Sequence, residues 1–151
     1  MLAVVRVKGS VGVRQKFEDA MKMLRLTELN RCVVVPDDPS HRGMVTKVRD
    51  YVTFGEIDFE TFLAMLKKRG RLEGDKRLDE KAIKELGYEN VEKLAKDIFE
   101  GKVKMKDVPK LKLVFRLTPP SGGFKSTKLH YPKGDLGDHG DAINELLKRM
   151  I

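Results

Sequence analysis

The segment from Pro119 to Lys133 places cations and aromatics on a glycine-bearing backbone. Gly122, Gly123, Phe124, Lys125, Lys128, His130, Tyr131 and Lys133 all fall within it, and no acid follows until Asp135. Spaced cations neutralise phosphates, glycines let a backbone come close to a nucleic acid, and aromatic faces stack on unpaired bases. A solvated loop with two aromatics tucked onto a core has the same composition. The length of the segment and its lack of acids weigh toward RNA.

Two further places in the first third could meet phosphate. His41, Arg42 and Gly43 stand where a loop enters a helix, so free backbone N–H groups and the Arg42 guanidinium could hold an anion together. An ordinary helix start capped by Ser40 accounts for the same residues equally well. Gly9-Ser10-Val11-Gly12, followed by Arg14 and Lys16, has the spacing of a nucleotide-clamping Gly-x-x-Gly loop. That clamp joins two helices, whereas this one follows a strand, so a plain turn is the better reading, with Arg14 and Lys16 left at a helix start to face phosphate.

Asp135, Asp138, His139 and Asp141 raise the question of a metal or a general base. No second ligand set with recognisable spacing accompanies them, and Asp138 or Asp141 capping the last helix is the preferred reading. No Walker loop, dinucleotide fingerprint, nucleophile elbow or His-Glu-x-x-His pattern occurs. With three histidines and one strand-borne Cys32, nucleophilic catalysis has few candidates. The chain is expected to be no enzyme and to need no cofactor and no metal.

The elements that must position these residues follow from periodicity. Residues 3–7 read as a strand, and Phe17, Ala20, Met21 and Leu24 recur at helical spacing after the glycine turn. Cys32 to Val35 form a second strand stopped by Pro36-Asp37-Asp38-Pro39, and Met44, Val45, Val48 and Tyr51 face one side of a short helix that carries Lys47. Between residues 56 and 110 three helical stripes follow: Phe59, Phe62, Leu63 and Leu66; Ile83 and Leu86; and Val91, Leu94, Ala95 and Ile98. Leu111, Leu113, Phe115 and Leu117 then alternate with Lys112, Val114 and Arg116, the pattern of a third strand. Residues 118–140 have no period, and Ile143, Leu146, Leu147 and Met150 make a last helix.

The 151 residues suffice for one domain. Residues 1–55 and 111–117 form its α/β core, 56–110 a helical insertion, and 118–151 a binding loop and terminal helix. Lysine and arginine number 31 against 23 acids, a formal charge of +8, which favours polyanions as partners. A membrane partner is disfavoured: the helices carry mixed charge, tryptophan is absent, and no apolar run approaches the roughly 20 residues of a membrane span. The strand-like N-terminus has no basic leader before its apolar run, so a soluble, unsecreted protein is expected.

The residues then resemble a known family. Arg42-Gly43-Met44 after a proline-bearing loop, Leu24-Arg25-Leu26, Asn30 to Val35, and Tyr51 to Ile57 are similar to the ribosomal protein thirty family of the large subunit, in its archaeal and eukaryotic branch. The tail matches that branch more specifically, through Pro120, Gly122-Gly123, Lys125, His130-Tyr131, Gly134-Asp135, Gly137, Asp141, Ile143-Asn144, Leu146 and Met150. The short bacterial form resembles only the first third, and the long basic N-terminal extension of eukaryotic members is absent, which points to an archaeal protein. Ser121 departs from the pattern, standing where relatives often carry a basic residue.

The resemblance implies an α+β fold: a β-α-β-α-β core with a three-stranded antiparallel sheet, two helices on one face and ferredoxin-like similarity. It implies a structural role in the large ribosomal subunit in the cytoplasm. The chain would bind 23S rRNA near 5S rRNA, beside neighbouring ribosomal proteins, as one copy with no small-molecule substrate. Under this reading Arg14, Lys16, His41, Arg42, Lys47, Lys125, Lys128 and Lys133 contact phosphate or sugar. Gly43, Gly122 and Gly123 permit close approach, and Phe124, His130 and Tyr131 stack or wedge. A free-standing RNA-binding regulator or assembly factor is the alternative.

Overall fold

A computed structural model describes residues 1–151. The element order is β1 (Leu2–Arg6), α1 (Gln15–Met23), β2 (Arg31–Val35), α2 (Pro39–Lys47), β3 (Val52–Glu56), α3 (Phe59–Arg69), α4 (Glu80–Glu85), α5 (Val91–Phe99), β4 (Val114–Arg116), β5 (Gly137–Asp138) and α6 (Ile143–Met150). The α+β class stands. The sheet is larger than three strands: five, in the order β4-β2-β1-β3-β5, antiparallel except for the β3–β5 pair.

The strand at 111–117 is fourth in the chain, and only Val114–Arg116 pairs with β2. Before that point the chain turns to another partner: Leu111 bridges Leu72, and the Lys112 N–H donates to the Arg71 carbonyl at 2.9 Å. The true third strand, β3, lies within 51–57 and pairs along β1 from Val52 to Glu56. It is as long as β1 and β2 but interrupted by Gly55, which weakens its strand signal.

Every residue of β1 is buried because the sheet is covered on both faces. Side chains alternate across a strand, so Val4 and Val33 face α1 and α2, packing with Ala20, Met21, Leu24, Leu26, Val45, Val48 and Val52. Ala3, Val5, Cys32, Val34, Phe115 and Leu117 face the other way, onto Phe62, Met65 and Leu66 of α3, Leu94, Ala95 and Ile98 of α5, and the buried stripe of α6. Helices therefore lie on both faces. The helices between residues 56 and 110 and the last helix form the second layer, and the helical stripes read from the sequence are its contact surfaces.

Helix starts correct two expectations. The N-cap of α2 is Asp38, with Pro39 as first helical residue; Ser40 lies inside the first turn and caps nothing. Neither Asp138 nor Asp141 caps α6, which follows a short helical turn, Gly140–Ala142, with Ala142 at its N-cap. Asp138 Oδ1 instead accepts the Gly140 N–H at 2.9 Å. No helix is long and apolar enough to cross a membrane.

Candidate nucleic-acid interface

The expected contact residues come from distant parts of the chain; the later part of the long loop meets the α1–α2 side, while Gly122, Gly123 and Phe124 lie against the end of α6 and the larger core. Phe17 in the first turn of α1 stacks at 5.5 Å on Tyr51, which follows α2. One residue earlier, Asp50 Oδ1 lies 2.8 Å from His130 Nε2 of the long loop. The turn around residues 50 and 51 thus adjoins three expected sites: Arg14 and Lys16 at the start of α1, Lys47 at the end of α2, and the loop at His130.

Their side chains remain available. Arg14 sits exposed at the N-cap of α1. Lys16 holds its ammonium 4.9 Å from the Phe17 ring centroid and stays exposed. Lys47, Lys125, Lys128 and Lys133 are exposed and lie outside all of the ion pairs of the fold.

Arg42 is committed elsewhere. Its guanidinium grips Asp37 through both Nε and Nη2, the latter at 2.6 Å, and Nη2 also lies 3.5 Å from Glu56. The hydrogen bond from Arg42, helped by its charge, holds the Asp37 carboxyl below the usual carboxylate range. His41 is half-buried, with Nδ1 at 3.5 Å from Asp38. This pair braces the Pro36–Pro39 turn, and a phosphate here would have to share a guanidinium already forked onto a carboxylate. At Gly43 an added Cβ would meet nothing within 4 Å. The surface is open there.

The loop 118–140 is ordered by its own bonds. Thr118 and Ser121 donate backbone N–H bonds to Met150 and Arg149, and Arg149 Nη1 returns bonds to the Ser121 and Gly123 carbonyls at 3.3 Å. Gly122 and Gly123 have φ of +81° and +73°, so this turn requires them whatever approaches it. Asp135, 4% exposed, accepts the Lys125 backbone N–H. That bond fixes the backbone from which Lys125 projects.

The three aromatics separate by role. Phe124 is half-buried against the larger core, as the bland reading of the loop had it. His130 is clamped between Asp50 and Gly137, where a Cβ would come 2.7 Å from His130 Nδ1. Tyr131 is 42% exposed, with one face on His139 at 4.5 Å and the rest open. Of the three, it is the one placed to stack.

Asp135, Asp138, His139 and Asp141 do not converge, and no three His, Cys, Asp or Glu side chains form a metal-holding group. Burial pushes the His139 ring below its ordinary 6.5, against the raising pull of Asp135 and Asp138. The sequence reading singled out neither Asp50 nor Arg149 and gave Asn144, which it matched to the family's tail, no task; the three hold the loop and α6 in place. Asn144 accepts the Asp58 N–H at 2.9 Å and donates to the Glu56 and Asp141 carbonyls at 3.0 Å. Their partners lie up to 88 residues away, so no local pattern could mark them.

Comparison with known proteins gives one consistent result. The family model "Ribosomal protein L30p/L7e" matches residues 2–52. Large ribosomal subunit protein uL30 of Archaeoglobus fulgidus is 52% identical over 151 residues, covering 99% of both chains. Its counterparts in Methanococcus maripaludis and Methanococcus vannielii are 51% and 49% identical over 152 residues, covering 99% of this chain and 98% of theirs.

Proposed function

The chain belongs to the ribosomal protein L30p/L7e family, and from that premise we propose that it is a structural constituent of the large ribosomal subunit, binding 23S rRNA near 5S rRNA and catalysing nothing. The observation that carries this is the 52% identity to a large-subunit protein across 99% of both chains, insertion and tail included. The protein would work in the cytoplasm as one copy per subunit, beside neighbouring ribosomal proteins.

The geometry supports a division of labour on the RNA side. Arg14, Lys16, Lys47, Lys125, Lys128 and Lys133 are free cations and take phosphate or sugar, Tyr131 stacks, and the Gly122-Gly123 turn and Gly43 leave the surface low enough for approach. His41 and Arg42 shape the neighbouring turn and offer phosphate only their remaining donors. Phe124 and His130 anchor the loop.

Sedimentation of a native lysate on a magnesium-containing sucrose gradient, through a high-salt wash, tests the role. The protein should stay with the large subunit at near one copy per particle. Recovery at the top of the gradient would instead identify a free-standing regulator or assembly factor. For the loop, Lys125→Ala with Lys128→Ala should flatten the salt dependence of rRNA binding by about 0.7–0.9 log units per lost phosphate contact. An unchanged slope would remove the loop from the interface.

A further inference from the structure

The opposite edge of the sheet carries a second concentration of charge. β4 and β5 are the two outer strands, four strand spacings apart, or roughly 19 Å. The loop leaves β4 at its start, but its part with Lys125, Lys128 and Tyr131 runs along the lead into β5, where His130 bridges Leu136 and the Asp135 N–H donates to the Ser126 carbonyl at 2.9 Å.

At the β4 edge, like charges face each other twice. Arg31 of β2 and Arg116 of β4 are register partners, and Arg71 and Arg77 are partners in an isolated antiparallel bridge. Directly opposite side chains lie on one face and within reach, and like charges so placed destabilise the pairing. Backbone bonds knit the two pairs together: Lys112 N–H to the Arg71 carbonyl at 2.9 Å, and Glu73 N–H to the Lys110 carbonyl at 2.8 Å. Lys112 and Arg116 share the single carboxylate of Asp75, at 2.8 and 3.0 Å, and the charge of Arg71 also reaches it. Glu28 takes Arg31 at 2.6 Å. Two carboxylates thus pair with three of the six cations, and Arg71, Arg77 and Lys110 have no ion pair, although the exposed Glu73 and Asp79 lie on the same stretch of chain.

Arginine held opposite arginine twice, with Arg71, Arg77 and Lys110 in no ion pair, leaves a repulsion that an external anion over the patch would offset. Guanidinium forks suit phosphate oxygens in particular. A protein partner would need an apolar centre. Of the large exposed apolar side chains only Leu29, beside Arg31 and Arg116, borders this surface. We infer that Arg31, Arg71, Arg77, Lys110, Lys112 and Arg116 form a second RNA-phosphate surface, so that the protein ties together two RNA segments at opposite edges of its sheet. The class of partner and the bridging rest on the function proposed above, the loop's part included; the site at the β4 edge does not depend on the loop.

The test uses the full chain, tethered cleavage and rRNA from Archaeoglobus fulgidus. Cys32 is buried, so Lys76→Cys and Lys128→Cys each provide a single accessible thiol for an iron chelate that cleaves nearby RNA. In large subunits assembled with each variant, cleavage is expected from both positions, in separate stretches of rRNA. Arg71→Ala with Arg77→Ala should lower the salt slope for protein-free rRNA by about 1.4–1.8, two phosphate contacts' worth, without lowering the melting temperature, because it removes a repulsion. Cleavage from position 128 alone with an unchanged slope overturns the second surface and leaves the first. An unchanged slope with loss of assembly into subunits assigns the patch to an acidic protein and overturns it as an RNA site. A lowered melting temperature with an unchanged slope makes the arginines structural. Absence of cleavage from both positions would sink the RNA-binding role itself.

Discussion

His139 is 6% exposed, its Nε2 has no hydrogen-bond partner, and Tyr131 covers its ring. Protonation would place an unsolvated charge there, which is why its folded-state value lies below 6.5. The unfolded chain therefore binds more protons than the folded one between the two values, and stability falls as pH drops through about 6.5 toward the folded-state value. The carboxylates held low by lysine and arginine, such as Asp37 and Asp75, lose their contribution in a separate and more acidic window. Melting followed from pH 7.5 to 5.5 should show a decline that His139→Gln removes; an equal decline in the variant would place the titration elsewhere. Asp135, four residues away, has a different task from the metal or base chemistry its neighbourhood suggested. Asp135→Ala strips the Lys125 N–H of a buried carboxylate and should cost about 1.5–3 kcal/mol, with faster hydrogen exchange at Lys125 and weaker rRNA binding. The residue types along 119–139 were informative about charge and backbone freedom. Which of them face inward depended on Asp50, Gly137 and Arg149, whose contacts no spacing encodes.

Elements with a long apolar stripe were readable because burial on one face is their reason for existing. In α6, Ile143, Leu146, Leu147 and Met150 are all buried, and α3 and α5 present Phe62, Met65, Leu94 and Ile98 to the same core. β3 and β5 were not readable. β3 holds Gly55 because a Cβ there would come 2.2 Å from the Gly140 carbonyl, so the demand of α6 for close approach erases the strand signal. β5 is the two residues Gly137–Asp138, extended only because β3 lies beside it. Asn144 locks these pieces, joining the start of α6 to the Glu56 carbonyl at the end of β3 and to the Asp58 N–H before α3. Asn144→Ala leaves a buried donor and acceptors unanswered and should cost about 1–3 kcal/mol in chemical denaturation. A loss within experimental error would mean that water replaces the amide.

At the scale of the whole molecule, two cores share one sheet. All nine residues of the smaller core, from Val4 to Val52, fall within the segment 2–52 that the family model matches, whereas the larger core draws on the insertion and tail. The segment could therefore look like an independent unit with an appended lobe. The strands argue otherwise: Val4 belongs to the smaller core while its neighbours Ala3 and Val5 belong to the larger, and Val33 stands between Cys32 and Val34 in the same way. Neither core can open without exposing the back of strands the other needs, so unfolding is expected to be a single transition. Met21→Ala on the α1 side and Leu147→Ala on the α6 side should each cost about 2–5 kcal/mol, lowering one shared melting midpoint by about 2–4 °C per kcal/mol. Because the two sites lie on opposite faces with no shared partner, their combined cost should equal the sum within about 0.5 kcal/mol. Calorimetry decides the matter. One peak that moves with either substitution makes the sheet a rigid spacer between its two charged edges, while two peaks that respond separately would mean that the insertion and tail fold as a lobe of their own and that the distance between those edges is not held by the fold.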